Sequence, residues 1–234
     1  MGANIIYLMI TPTFAAPDWI TYQKNVADIY VQSIKTNAIK NVVILRSVGA
    51  HPGSGAGPED GLSYLEKELG EINNTNVKNL RPGYFFTNLF QQIGMIKHVG
   101  IMGSAQPAEH KMVLAHYKDI ADVAFEELNQ LKFVGQSYRY VVRDERSWKE
   151  IIEILTAEVR KKETPFIFFN DEQNRKGMQQ ANLPETIING YVEMGKTMRD
   201  KIFDAHYWSQ RTELVSQIKL EDFTKEFAEA CKNS

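Results

Sequence analysis

Asn41-Val42-Val43-Ile44-Leu45-Arg46-Ser47-Val48-Gly49-Ala50-His51 decides how the chain is read. Val42 to Leu45 is an unbroken apolar run, the signature of a strand covered on both faces, as in parallel sheets. It ends in small residues, Ser47 and Gly49, at the carboxyl end, where open α/β sheets bind ligands. Upstream, Asn4 to Ile10 is a second such strand, stopped by Thr11-Pro12-Thr13 because proline cannot continue a central ladder. Between them Asp18 caps a helix with Trp19, Tyr22, Val26 and Ile29 at helical spacing, and Asn37 ends it. Strand, helix and strand with short links make a right-handed parallel βαβ unit.

Downstream, His51 to Gly61 is rich in glycine and proline. Its spacing differs from a Gly-x-Gly-x-x-Gly turn opening into a helix, so it reads as a loop over the site. A helix follows with Leu62, Leu65 and Leu69 inward. Val77 to Leu80 is a short strand ending in Arg81-Pro82-Gly83. The aromatic run Tyr84 to Phe90 reads as helix, either core packing or the wall of a pocket for a flat ligand. Gly94 to Ala115 is irregular with room for short strands, Asp119 caps a helix bearing Ile120, Val123, Ala124 and Leu128, and Tyr138 to Val142 is another strand. Beyond it Ser147 and Glu150 form a capping box, Pro165 breaks that helix, and Phe166 to Phe169 is a short strand. Asn170 with Gln173 starts another helix, Pro184 sits in the first turn of the next, and Phe223, Phe227 and Cys231 line one side of the last. The expected fold is α/β, a partial parallel sheet over residues 1–142 with 84–115 contributing to a cap, and a mostly helical lobe over 143–234.

The 234 residues are 43% hydrophobic and 24% charged with a formal net charge of −2, an ordinary globular balance that gives no electrostatic case for nucleic acid or an anionic membrane as partner. One cysteine, Cys231, excludes a disulfide framework and leads us to expect a reducing cytoplasm. No apolar run approaches a membrane span, and the amino end lacks the basic segment of a signal peptide. His110 and His116 have no further ligands at metal spacing, so no metal is expected.

Three ordered segments carry a family resemblance. Val42 to His51, Leu80-Arg81-Pro82-Gly83-Tyr84-Phe85-Phe86-Thr87-Asn88-Leu89 and Asp119-Ile120-Ala121 resemble the corresponding pieces of the NmrA-like family, atypical short-chain dehydrogenases/reductases. The resemblance runs along nearly the whole chain and implies a Rossmann-type fold that binds NADP or NAD. It implies a reductase of quinones or other conjugated carbonyls or, alternatively, a non-catalytic redox-sensing regulator or an inactive fragment. It places Thr11, Pro12, Thr13, Ser47, Val48, Gly49, Arg81, Pro82 and Gly83 against the cofactor and Phe85, Phe86 and Asn88 against the substrate. The family's first strand, its Gly-x-x-Gly-x-x-Gly turn and its second strand have no counterpart here, and Met1 to Ile10 resembles the fourth strand. A chain covering the family's carboxyl-terminal two thirds or so is therefore expected, with weak or no cofactor binding.

The wider group pairs a serine with a tyrosine and a lysine four residues on. Ser47 is present, but Tyr64 is followed at four by Glu68, and Lys67 stands one place early, about 100° round a helix. Ser47 and Tyr64 are the catalytic candidates, with a surface role the alternative for Tyr64. Without its usual neighbour, Asn4 to Ile10 is expected to be an apolar sheet edge that associates with another copy.

Overall fold

Strand β1 (Ile5–Leu8) and strand β2 (Asn41–Leu45) pair in parallel, Ile5 opposite Asn41 and Leu8 opposite Ile44. The computed structural model describes residues 3–13, 15–51, 55–159, 164–211, 214 and 217–234; Pro52, Gly53 and Ser54 of the His51–Gly61 loop lie outside them. Helix α1 (Trp19–Thr36) makes the crossover. The Asp18 carboxylate caps it, accepting from Thr21 N at 3.1 Å. Asn37 follows α1 but is not left-handed; Ala38, at φ 49°, takes that conformation instead.

Helix α2 (Asp60–Gly70) leads to β3 (Asn76–Pro82), which pairs with β2. A fourth parallel strand, β7 (Gln136–Val141), pairs with β3, so the sheet order is β1-β2-β3-β7. The alternation of side chains along each strand divides the core. Val42, Ile44 and Val77 pack with Ala27, Val31 and Ile34 of α1 and Leu65 and Leu69 of α2. Val43, Leu80 and Val141 pack on the opposite face with Ile120, Val123 and Ala124 of α4 (Tyr117–Gln130). A side chain buried this fully contributes about 1.5–3 kcal/mol. Those runs form strands because both faces are covered.

The segment after β3 departs from expectation. Tyr84–Phe85 is a short strand, β4, and Phe86–Gln92 is a 3-10 turn rather than an α-helix. In the next stretch the short strands β5 (Met102–Ser104) and β6 (Lys111–Ala115) fall where short strands had room, while helix α3 (Ile93–His98) was not anticipated. β6 pairs in parallel with β4 and antiparallel with β8 (Asp144–Ser147), a second small sheet. Helix α4 starts two residues before Asp119. His116 caps it, with Nδ1 accepting from Lys118 N at 3.1 Å. Asp119 instead accepts from the backbone of Gln217 and Ile218, a contact that no local pattern could announce.

After β8 come α5 (Trp148–Val159), strand β9 (Phe166–Phe168) beside β5, α6 (Asp171–Gln180), α7 (Glu185–Arg199), α8 (Ala205–Ser209) and α9 (Leu220–Asn233). Ser147 and Glu150 bond reciprocally at the start of α5, as do Asn170 and Gln173 at α6. Phe223 and Phe227 of α9 are fully buried against Phe86 and Leu89. The fold is a mixed α/β structure built on a parallel sheet. Among the described residues no helix is long and apolar enough to cross a membrane.

Candidate functional site

The carboxyl ends of β2 and β3 gather most of the polar chemistry. Arg46 follows Ile44, and Arg81 follows Asn79, on the face covered by α2. Both guanidinium groups are buried, with the side chain of Arg46 0% and that of Arg81 7% exposed. Glu66 of α2 bridges them: Arg46 Nη2 lies 3.2 Å from Oε2 and Arg81 Nη2 2.5 Å from Oε1. Burial lowers the Arg46 pKa to about 10 although Glu66 pulls it back up. Arg46 Nη1 and Arg81 Nε are buried without a hydrogen-bond partner. Glu66 faces α2's neighbours because Leu65 and Leu69 fix the helix against the sheet.

One register position on, Arg81 stands opposite Tyr140 of β7. The guanidinium lies over the Tyr138 ring at 4.7 Å and over the Tyr140 ring at 6.0 Å. That phenol is 2.5 Å from Nδ1 of His206 on α8. The His206 ring stands over His51 with centroids 4.4 Å apart. Burial, then His51 and Arg81, hold the His206 pKa below its ordinary value.

Ser47 is half-buried at the end of β2, and its Oγ accepts from Gly49 N at 3.1 Å. Beside it the 3-10 turn Gly57–Glu59 is clamped. Gln23 donates to Pro58 O at 3.1 Å, and Gly57, at φ +59°, lies so close to α7 that a Cβ there would be 2.0 Å from Gly190 O. Glu59 is thereby carried on a fixed turn. Burial raises its pKa, against hydrogen bonding with Ser47 and the charge of Arg46. Glu59 Oε2 is buried with no partner. Tyr191 of α7 faces both Glu59 and Tyr84.

The lobe covers much of this end. The Phe203 ring sits on Gly49, where an added Cβ would lie 2.0 Å from it. Val48, Gly49, Arg81, Pro82 and Gly83 are all buried, Gly83 against the Val113 backbone. Thr11 and Pro12 are exposed and Thr13 half-buried. Phe85 and Asn88 are half-buried, but Phe86 is fully buried between His116 and Phe223. Phe86 is thus a core residue and not a pocket wall. Tyr64 lies on the outer side of α2, its hydroxyl donating to Asp28 of α1 at 2.8 Å. That bond pushes its pKa up to about 12, so Tyr64 does not serve Ser47. His116 is a cap with its Nε2 3.5 Å from Glu226. Among the described residues no three His, Cys, Asp or Glu side chains gather where a metal ion could sit.

Several solved structures superpose on nearly the whole chain. A nucleoside-diphosphate-sugar epimerase from Staphylococcus aureus matches at 13% identity and a TM-score of 0.75, over 95% of this chain and 76% of its own. An NADPH-dependent quinone oxidoreductase from Escherichia coli, complexed with NADPH, matches at 15% identity and 0.73, over 96% and 76%. The triphenylmethane reductase of a Citrobacter species, complexed with NADP(H), matches at 14% identity and 0.66, over 97% and 77%. The chain has the fold of these enzymes. No protein-family profile matches the sequence, and no curated protein matches it significantly.

Glu59, Glu66, Tyr140, Tyr191 and His206 escaped the sequence reading. Glu59 sat in a loop whose glycines drew attention. Tyr191 and His206 reach the strand ends only through the path of the lobe. The one available signal was Arg46, a charged residue directly after a buried strand, which demands a carboxylate.

Proposed function

We propose that this chain is an NmrA-like, NAD(P)-dependent oxidoreductase that reduces a quinone or another conjugated carbonyl at the carboxyl ends of β1, β2 and β3. The observation that carries this reading is the superposition of nearly the whole chain on an NADPH-dependent quinone oxidoreductase complexed with NADPH, with the half-buried Ser47 at the carboxyl end of β2. In an open α/β sheet that is the ligand-binding end.

The two halves of the dinucleotide meet different chemistry. Thr11, Thr13 and Ser47 offer hydroxyls to the nicotinamide ribose from the ends of neighbouring strands, and Glu59 offers an unpartnered carboxyl oxygen. Among the described residues the diphosphate finds no such seat. A Rossmann site brings it to glycine backbone at a helix N-terminus. Here α1 opens behind Pro12 and Asp18, and hydrogen bonds from Thr21 keep that carboxylate charged by lowering its pKa. An anion at the helix start repels another anion. The nicotinamide half therefore carries the binding, which is weak.

A reduced nicotinamide nucleotide supplies hydride. The chain's own residues orient the carbonyl and exclude water. Ser47 reaches the reacting oxygen, Phe85 and Asn88 flank it, and the lobe residues Phe203 and Tyr191 close the end of the sheet. A second reading, a non-catalytic redox-sensing binding protein, is favoured by the burial of Val48, Gly49, Pro82 and Gly83 and by the remoteness of Tyr64. Oxidation of millimolar NADPH in the presence of a soluble quinone separates the two. Turnover supports the reductase, while saturable binding without turnover supports the regulator.

A further inference from the structure

A cleft of about 710 Å³ opens where the chain leaves β7 and enters β8, with the start of α9 as its other wall. That volume is ordinary for a small-molecule site. Backbone bonds build it. Arg143 N donates to Leu114 O of β6 at 2.9 Å, which fixes the chain as it passes from the large sheet to the small one. Leu220 N donates to Asp144 Oδ2 at 2.8 Å and brings α9 against β8. Leu214 adds an apolar surface.

The charges of the wall are unevenly matched. All four of its carboxylates are engaged. Asp144 Oδ1 lies 3.3 Å from Arg146 Nε, and its other oxygen holds α9. Glu145 Oε1 accepts from Tyr207 at 2.6 Å and from Arg211 Nε at 2.8 Å. Glu221 lies 2.9 Å from Arg146 Nη2, and Asp222 accepts from Lys219 N at 2.9 Å. Of the cations, Arg146 is shared by Asp144, Glu150 and Glu221. The Arg143 guanidinium and the Lys219 ammonium have no ion pair among the described residues. Arg143 Nε is buried without a hydrogen-bond partner. A buried charged donor left unpaired is costly, and the guanidinium fork matches a carboxylate or phosphate.

We propose that this cleft binds a small organic anion, its carboxylate or phosphate between Arg143 and Lys219 and its apolar part on Leu214. A cationic ligand would have to displace Arg146, Arg211 or the α9 backbone from a carboxylate. An anion meets two cations with no competing partner. The same carboxylates limit its charge, since a polyanion would extend over Glu221 and Asp222. The site uses none of the residues assigned to the cofactor or the carbonyl, so it does not rest on the reductase reading. Its occupant bridges the end of β7 to the start of α9 and stabilises the fold by mass action.

Phenyl phosphate, benzoate and neutral benzyl alcohol share an apolar body and differ in the group offered to Arg143. Each is titrated into the full chain at fixed ionic strength while nitrogen–proton NMR follows the Arg143 Nε–H signal, assigned by its loss in Arg143→Gln. A saturable shift is expected with phenyl phosphate or benzoate and none with benzyl alcohol; the tighter anion identifies the group. Both anions are then compared across variants by the rise in Tm they cause. Arg143→Gln should weaken binding roughly ten-fold or more, the scale of a charge-assisted hydrogen bond. Lys219→Gln, at an exposed position where folding is not at stake, should weaken it about two- to five-fold, the scale of an exposed charge. No saturable shift with either anion, equal affinity for benzyl alcohol, or anion binding unchanged in both variants overturns the proposal.

Discussion

Glu66 is the shared counter-charge of two buried guanidinium groups. Removing one member of such a cluster strands the others without solvent, which typically costs about 3–5 kcal/mol. Glu66→Ala is therefore expected to lose about that much in urea denaturation, and a loss under 1 kcal/mol would mean that Arg46 and Arg81 do not depend on it. Gly57 is constrained by backbone, not by a movable side chain. With φ at +59° and Gly190 O 2.0 Å from an added Cβ, Gly57→Ala should cost about 1–3 kcal/mol. His206 gives a pH signature. Its folded pKa lies below the ordinary 6.5, so the fold favours neutral imidazole. Its contribution is present above the unfolded value and lost as pH falls through the window below 6.5. The wild-type Tm should fall more between pH 7.5 and pH 5.5 than that of His206→Gln; equal falls would remove His206 as the cause. At this scale legibility was uneven. Ser47 stood out because it ends an apolar run, whereas the turn that carries Glu59 is fixed only by Gln23 and Gly190, distant in sequence.

The elements legible in the sequence were those whose pattern records their cover. β2 and β3 read as strands because both faces are packed, and α5 and α6 announce themselves by capping boxes. The sheet β4-β6-β8 did not, because its strands are short and aromatic or charged, without a period of their own. Phe86 was set against the substrate by the family resemblance, while the aromatic run itself read as core or pocket wall, and its burial between His116 and Phe223 makes it core. β1 is the element with the sharpest consequence. Among the described residues it pairs on one side only, with β2, and Tyr7 within it and Met9 just after it are 41% and 45% exposed. No charged residue or proline interrupts Ile5–Leu8, the usual protections of an edge. We propose that β1 joins the β1 of a second copy. Light scattering should show concentration-dependent association that Tyr7→Lys abolishes. A wild-type chain that stays monomeric at high concentration would contradict it.

At the scale of the whole molecule, sheet and lobe meet over the strand ends. Phe203 covers Gly49, Thr197 donates to Gly55 O at 2.6 Å, and Tyr207 donates to Glu145 at 2.6 Å. The α/β class and the parallel order of the sheet followed from alternating apolar runs and helices. The closing contacts did not, because they join residues far apart in the sequence, 142 positions for Thr197 and Gly55 and 62 for Tyr207 and Glu145. We propose that the strand ends seat the nicotinamide half of the cofactor and that the described residues give its diphosphate no anchor. Calorimetric titration of the full chain with NADPH and with reduced nicotinamide mononucleotide tests it most directly. Both are expected to bind with a Kd of about 1 mM or weaker, near 4 kcal/mol, and within roughly three-fold of each other. A micromolar Kd for NADPH, a hundred-fold or more tighter than for the mononucleotide, would contradict it.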